Sequence, residues 1–191
     1  MREITIILAL LCIVTFAQQK GSFTDSRDGK KYKTVEIGEQ VWMAENLNYD
    51  VKSSKCYYNE PANCNKYGRL YNWVAAKEAC PKGWHLPSDE KWQMLVDYAG
   101  GSEVAGAKLK AKNGWNVGGI GLDTYGFSAL PGGVGYGSGY GNVDGYGNWW
   151  SATESDANLA WSRHMNYGGE YVRTNNINKS FNLFSVRCLR D

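Results

Sequence analysis

The chain has 191 residues and a formal charge of +2, with 21 basic residues scattered among 19 acidic ones. That balance excludes nucleic acid as the partner, since recognition there needs basic residues gathered on one face. Eight tryptophans, thirteen tyrosines and 23 glycines suit a compact loop-rich fold with one core, and equally a surface that stacks on sugar rings.

Residues 1–17 have the pattern of a secretory signal peptide. Arg2 supplies a basic start, Ile4 to Phe16 is almost wholly apolar, and Thr15-Phe16-Ala17 places small residues at the −3 and −1 positions. The run is shorter than the roughly 20 residues a membrane span needs, and no later stretch is apolar enough to leave a transmembrane segment after cleavage. Bulky Leu11 before Cys12 argues against a lipid anchor there. Cleavage before Gln18 leaves a short N-terminal tether, 18–22, and a single domain, 23–191. The expected location is secreted or cell surface, with the periplasm as the alternative.

Asp28-Gly29 marks a hairpin-type turn. Tyr32, Val35 and Ile37 make a strand, Gly38-Glu39 turns the chain, and Gln40–Met43 form a second strand. Residues 52–66 read as a polar loop. Gly68 to Ala79 is expected as a helix, with Leu70, Trp73, Val74 and Lys77 along one side, stopped by Cys80-Pro81. Ser88 is a good N-cap for a helix from Asp89, where Asp89 and Glu90 suit the dipole and Gly100-Gly101 end it. Ser102 can cap a third helix that runs to Asn113-Gly114.

From Gly118 to Gly147 there are twelve glycines in thirty residues, the signature of a long loop with unusual backbone angles. Strands return at Asn148–Thr153, Leu159–Met165 and Glu170–Arg173. Phe184, Val186 and Cys188 alternate on a last strand, and terminal strands are expected to pair. The fold class is α+β: one antiparallel sheet with two to three helices beside it and a long Gly-rich loop.

Four cysteines remain in the exported part: Cys56, Cys64, Cys80 and Cys188. An even count there implies two disulfides, with three possible connectivities. The pairing chosen is Cys56–Cys64 with Cys80–Cys188, contributing roughly 2.6 and 4.8 kcal/mol in the chain-entropy model. The spacings lack a close CxxC pair and a matching histidine, so no metal site is assigned to them.

Several motifs occur together: Asp28-Gly29-Lys30-Lys31-Tyr32, Gln40 to Tyr49, Tyr67-Gly68-Arg69-Leu70-Tyr71-Asn72-Trp73, Cys80 to Ser88, Tyr125 to Gly133, Trp149 to Glu154, and Ser185-Val186-Arg187-Cys188. Over essentially all of the exported part, the set resembles the Fibrobacter succinogenes major paralogous domain family. Its proteins are exported, so the resemblance implies location and fold rather than a reaction. Leu86 to Trp92 and the Val186-Arg187-Cys188 ending are more distantly similar to formylglycine-generating enzymes. That likeness implies a C-type lectin-like fold, with small antiparallel sheets, paired termini and a long glycine-rich region.

Formylglycine-type oxidation needs a reactive cysteine pair beside the last strand, and only Cys188 lies there. His85 and His164 have no nucleophile motif near them, and His85 is read as a buried hydrogen-bonding residue at a helix entry. No catalytic residue is assigned. Calcium is the one cofactor considered, with oxygens from Asp123, Asn142, Asp144, Glu154 and Asp156 near the long loop. Turn formation is the plainer role for these residues. Trp149 and Trp150 are expected in the core. Tyr136, Tyr140 and Tyr146, held on glycine-rich backbone, are the ligand-binding candidates, against the alternative that they pack over the sheet. The expected function is a non-catalytic binding or surface-associated module for a polysaccharide or a surface protein. A diverged enzyme on the same fold and a purely structural surface protein are the alternatives.

Overall fold

The computed structural model describes residues 18–119, 121–137 and 139–191. The signal expected over 1–17 lies outside the described residues. Strand β1 (Lys20–Thr24) pairs antiparallel with β2 (Lys31–Ile37), so the expected tether is an edge strand and its register runs from Lys20 opposite Val35 to Thr24 opposite Lys31. β3 (Gln40–Met43) completes the meander where it was expected. Tyr32, Val35 and Ile37 are all buried, Val35 and Ile37 on one face of β2 and Tyr32 on the other.

The segment expected as a polar loop is more ordered than its composition suggests. It holds β4 (Ser54–Lys55), a 3-10 turn (Tyr57–Asn59) and α1 (Pro61–Tyr67). Pro61 sits in the first turn of α1, where its missing N–H costs nothing. The next helix starts later than expected. Leu70–Tyr71 form β5, and Asn72 caps α2 (Trp73–Ala79) by accepting the Ala75 N–H. After β6 (Trp84–His85), α3 (Asp89–Tyr98) matches its signals: the Ser88 hydroxyl accepts the Lys91 N–H, and Gly101 donates back to Val96 O.

Helix α4 (Ala105–Leu109) is shorter than expected and Ser102 does not cap it. A Cβ at Gly106 would lie 2.3 Å from Tyr171 O, so the 170–171 segment is pressed against this helix. Ala107 N donates to Glu170 O, and Lys110 leaves the helix extended to bridge Ala129. The buried Lys110 ammonium then donates to the carbonyls of Asn166, Tyr167 and Gly169, which fixes the exit.

The glycine-rich region contains the hairpin β7 (Val134–Tyr136) and β8 (Gly139–Gly141). β9 (Tyr146–Glu154) and β10 (Leu159–Asn166) are longer than expected. The strand placed at 170–173 is β11 (Arg173–Asn178). The last predicted strand is two: β12 (Asn182–Ser185) and β13 (Leu189–Arg190). Between them the chain crosses from one sheet to the other, with Val186 O and Cys188 O accepting from Leu47 N and Met43 N.

The architecture is thus mixed α+β with short helices and two sheets rather than one. The five-stranded sheet runs β1-β2-β3-β13-β6, so the C-terminal strand pairs with the N-terminal meander through β3. The eight-stranded sheet runs β11-β10-β9-β12-β5-β4, with the β7–β8 hairpin on β12; a single pair, Ser185 opposite Trp149, is parallel.

Period-two alternation builds two cores. Trp42 and Trp149 face one cluster with Trp92, Leu95 and Phe127. Their neighbours Met43 and Trp150 face the other with Tyr71, Trp73, Phe184 and Val186. Both members of the Trp149-Trp150 pair are fully buried. Each such ring removes about 150–250 Å² from water, worth about 4–6 kcal/mol before entropy is counted. Both disulfides form with the expected pairing: Cys56–Cys64 closes a short loop, and Cys80–Cys188 ties the end of α2 to the sheet crossing.

Candidate functional site

The Cys56–Cys64 bridge brings two Cα atoms to 4.9 Å across eight residues, leaving the enclosed chain little room. Within it Tyr58 (φ 54°, ψ 19°) and Asn59 (φ 58°) are both left-handed. That region costs an ordinary side chain about 1 kcal/mol or more, and two in succession need outside support. Two hydrogen bonds supply that support: Asn59 N donates to Cys56 O, and Asn63 Nδ2 donates to Tyr57 O at 2.9 Å.

Tyr57 points inward and is buried against the glycine-rich region. A Cβ at Gly133 (φ +72°) would lie 2.8 Å from the Tyr57 ring and 2.6 Å from Gly141 O, so only glycine fits there. Tyr58 points outward and is 61% exposed. Its ring lies edge-on to Tyr57 at 4.7 Å and to Tyr140 at 5.5 Å, and Tyr57 and Tyr140 are 5.3 Å apart. The Tyr140 hydroxyl donates to Asn59 Oδ1 at 2.8 Å. Burial pushes the Tyr57 and Tyr140 phenols up, so both stay protonated and able to donate. The result is an aromatic shelf, Tyr58 and Tyr140 on a Tyr57 base, rimmed by the Asn59 amide. Such a surface offers ring edges and faces for apolar C–H groups and phenol and amide groups for hydroxyls.

The three candidate tyrosines of the long loop are not brought together. Tyr136 pairs with Gly139 and Tyr140 with Gly135, so the two project from opposite faces of the β7–β8 hairpin. Tyr136 is 43% exposed and lies across Gly139 and Gly141. Tyr146 belongs to β9 and stacks on His164 at 5.0 Å. Of the three, Tyr140 alone joins the shelf.

His85, expected to be buried, is 42% exposed and meets Asp191 Oδ1 through Nδ1. His164 is half-buried, holds Asn148 Oδ1 at 2.9 Å, and is kept below its ordinary range by burial. The oxygens weighed for calcium are engaged separately. Asp123 accepts from the Ser128 N–H and hydroxyl, Asp156 accepts from Asn158 N and Leu159 N, Glu154 pairs with Lys179, and Asp144 accepts from the Tyr67 hydroxyl. Among the described residues they do not gather into a group that could hold a metal.

Tyr57, Tyr58 and Asn59 were not singled out by the sequence. The available signal was two aromatics directly after a cysteine whose partner lies eight residues on.

Residues 35–190 match the pattern described as the Fibrobacter succinogenes major domain, and the chain belongs to that family. Neither the comparison with curated proteins nor that with solved structures returns a match.

Proposed function

We propose that this Fibrobacter succinogenes major domain is an exported, non-catalytic module that binds a polysaccharide at the Tyr58–Tyr140 shelf, at the cell surface or as a secreted protein. The carrying observation is the pair of left-handed residues, Tyr58 and Asn59, inside a stapled eight-residue loop. Strain of this kind persists where the surroundings over-determine it, and it clusters at binding sites. Here it accompanies an aromatic ring, Tyr58, that is 61% exposed.

Two further features support the reading. The order of elements, with the end of the chain paired to its first meander and a long glycine-rich stretch inserted before β9, suits a C-type lectin-like arrangement. Cys188 is joined to Cys80, whereas formylglycine-type oxidation needs a free thiolate pair. The bonded cysteines support the binding reading over that one chemistry.

The test is affinity electrophoresis of the secreted chain through gels containing soluble plant or microbial polysaccharides. Retardation by at least one polysaccharide is expected, weakened about two- to tenfold by Tyr58→Ala, the loss of one stacked ring. Unchanged retardation by a folded Tyr58→Ala variant would remove the shelf from the account.

A further inference from the structure

At the far end of α1 from the shelf lies a cleft of about 210 Å³ between the β2–β3 meander and the end of that helix. This is smaller than a pocket for a drug-sized ligand, and it has room for one charged substituent of a larger molecule. Its charged lining is mainly basic. Lys30, Lys31 and Lys66 line it with one carboxylate, Glu45, and Asn48 and Asn65 also line it.

These groups differ in how committed they are. Lys30 is held by Asp28 at 3.2 Å and by Asn48 O. Lys66 is 56% exposed and only loosely paired with Asp144, at 3.5 Å. Lys31 makes no ion pair among the described residues. Glu45 already accepts the Lys33 N–H at 2.7 Å.

A fourth positive charge stands behind the wall. Asn46 lines the cleft, and its Oδ1 accepts from Arg187 Nε and Nη2 at 3.2 and 2.9 Å. Arg187 is fully buried and, among the described residues, has no carboxylate within ion-pair reach; its other partners are the carbonyls of Met43, Phe127 and Ser128. Glu45 and Asp123 offset part of the guanidinium's charge from a distance; what remains is screened little by solvent and adds to the field of the lysines at the mouth.

The geometry points to an anion-binding subsite, and we infer that the cleft takes the carboxylate or sulfate of an acidic sugar whose neighbouring ring rests on the shelf. The inference rests on the shelf reading for the neighbouring contact. The two places are physically continuous. Gly133 packs on Tyr57, and the adjacent Gly132 faces the Tyr67 side chain beside Lys66. Tyr58 and Lys66 lie on one short segment, the 3-10 turn followed by α1, so the two places are near enough for one glycan chain to reach both.

The experiment compares polygalacturonate, dextran sulfate and unmodified dextran as probes, in affinity gels at low and raised salt. The full secreted chain is run beside Lys31→Gln/Lys66→Gln, Lys52→Gln/Lys112→Gln and Tyr58→Ala. Lys52 and Lys112 are exposed lysines that do not line the cleft. We expect at least one acidic probe to bind more tightly than dextran, and the cleft pair to weaken it about tenfold, the loss of about one charge-assisted hydrogen bond. The Lys52/Lys112 pair should leave binding unchanged. Polygalacturonate against dextran sulfate separates a carboxylate from a sulfate ligand. Equal weakening by both lysine pairs, or no effect of the cleft pair, overturns the inference as diffuse charge attraction. Preference for dextran overturns it too, and leaves the shelf standing if Tyr58→Ala still weakens binding. Binding of acidic probes that is sensitive to the cleft pair and indifferent to Tyr58→Ala keeps the subsite and removes the shelf.

Discussion

Asn46 joins four separate parts of the chain. Its Oδ1 accepts from Arg187 and, at 2.9 Å, from Trp149 Nε1, while its Nδ2 donates to Tyr67 O at 2.8 Å. Burial pulls Arg187 down to about 9 against the opposing pull of the Glu45 and Asp123 carboxylates, still far enough above neutrality that the guanidinium is charged in the folded protein. Asn46→Ala removes an acceptor from a buried charge and should cost roughly 3–5 kcal/mol in urea unfolding. Asn46→Asp keeps the acceptor and adds a counter-charge, so it should cost less than the alanine variant. His164 gives a pH-dependent counterpart. Its folded value lies below the ordinary 6.5, so the folded chain favours the neutral ring. Above that pH both states are neutral and the effect vanishes. As pH falls below it, the unfolded chain takes up the proton first and stability is lost. His164→Gln should therefore flatten the fall in melting temperature from about pH 7 to about pH 5; an unchanged slope would show that His164 is not a source of it. Residues whose role is local were legible: Ser88 caps α3, and Trp149 and Trp150 are core. Arg187 and Asn46 were not, because their partners come from segments that only the finished fold brings together.

At the scale of elements, the two disulfides should behave differently. Cys80–Cys188 closes 108 residues and Cys56–Cys64 closes eight. Cys80→Ala/Cys188→Ala should lower unfolding free energy by about 4.8 kcal/mol and Cys56→Ser/Cys64→Ser by about 2.6, on loop-closure entropy alone. The smaller loss should still abolish shelf binding, since the left-handed turn loses its staple. Equal stabilities of the two double variants in denaturant titrations would contradict the entropy argument. Gly106→Ala tests the α4 contact. The added methyl meets the Tyr171 and Glu170 carbonyls, so the variant should lose stability although alanine is the better helix former. Helix α3 and the β2–β3 hairpin carried complete local signals. The start of α2, the end of α4 and the split of β12 from β13 did not, because each boundary is set by a contact far along the chain. The 3-10 turn is the clearest case: its disulfide spans only eight residues and was legible, but the packing of Tyr57 on Gly133 joins segments far apart in the chain.

For the whole molecule, the two cores meet across β9 and the sheet crossing before β13, so loosening either should be felt in both. Trp150 stacks on Phe184 at 4.6 Å and its Nε1 donates to Tyr71 O. Trp150→Ala should cost roughly 3–5 kcal/mol and, at this chain length, lower the melting temperature by about 10 °C or more. Tyr58 is the reverse case, an exposed ring on a rigid turn whose removal spares both cores. The most direct measurement is polysaccharide affinity and melting temperature on the same preparations of the parent chain and Tyr58→Ala. The account predicts a polysaccharide ligand for the parent chain, a two- to tenfold loss of its binding in the variant, and a melting temperature within about 4 °C. A parent chain that binds no polysaccharide, or a folded variant that binds as the parent does, would contradict it.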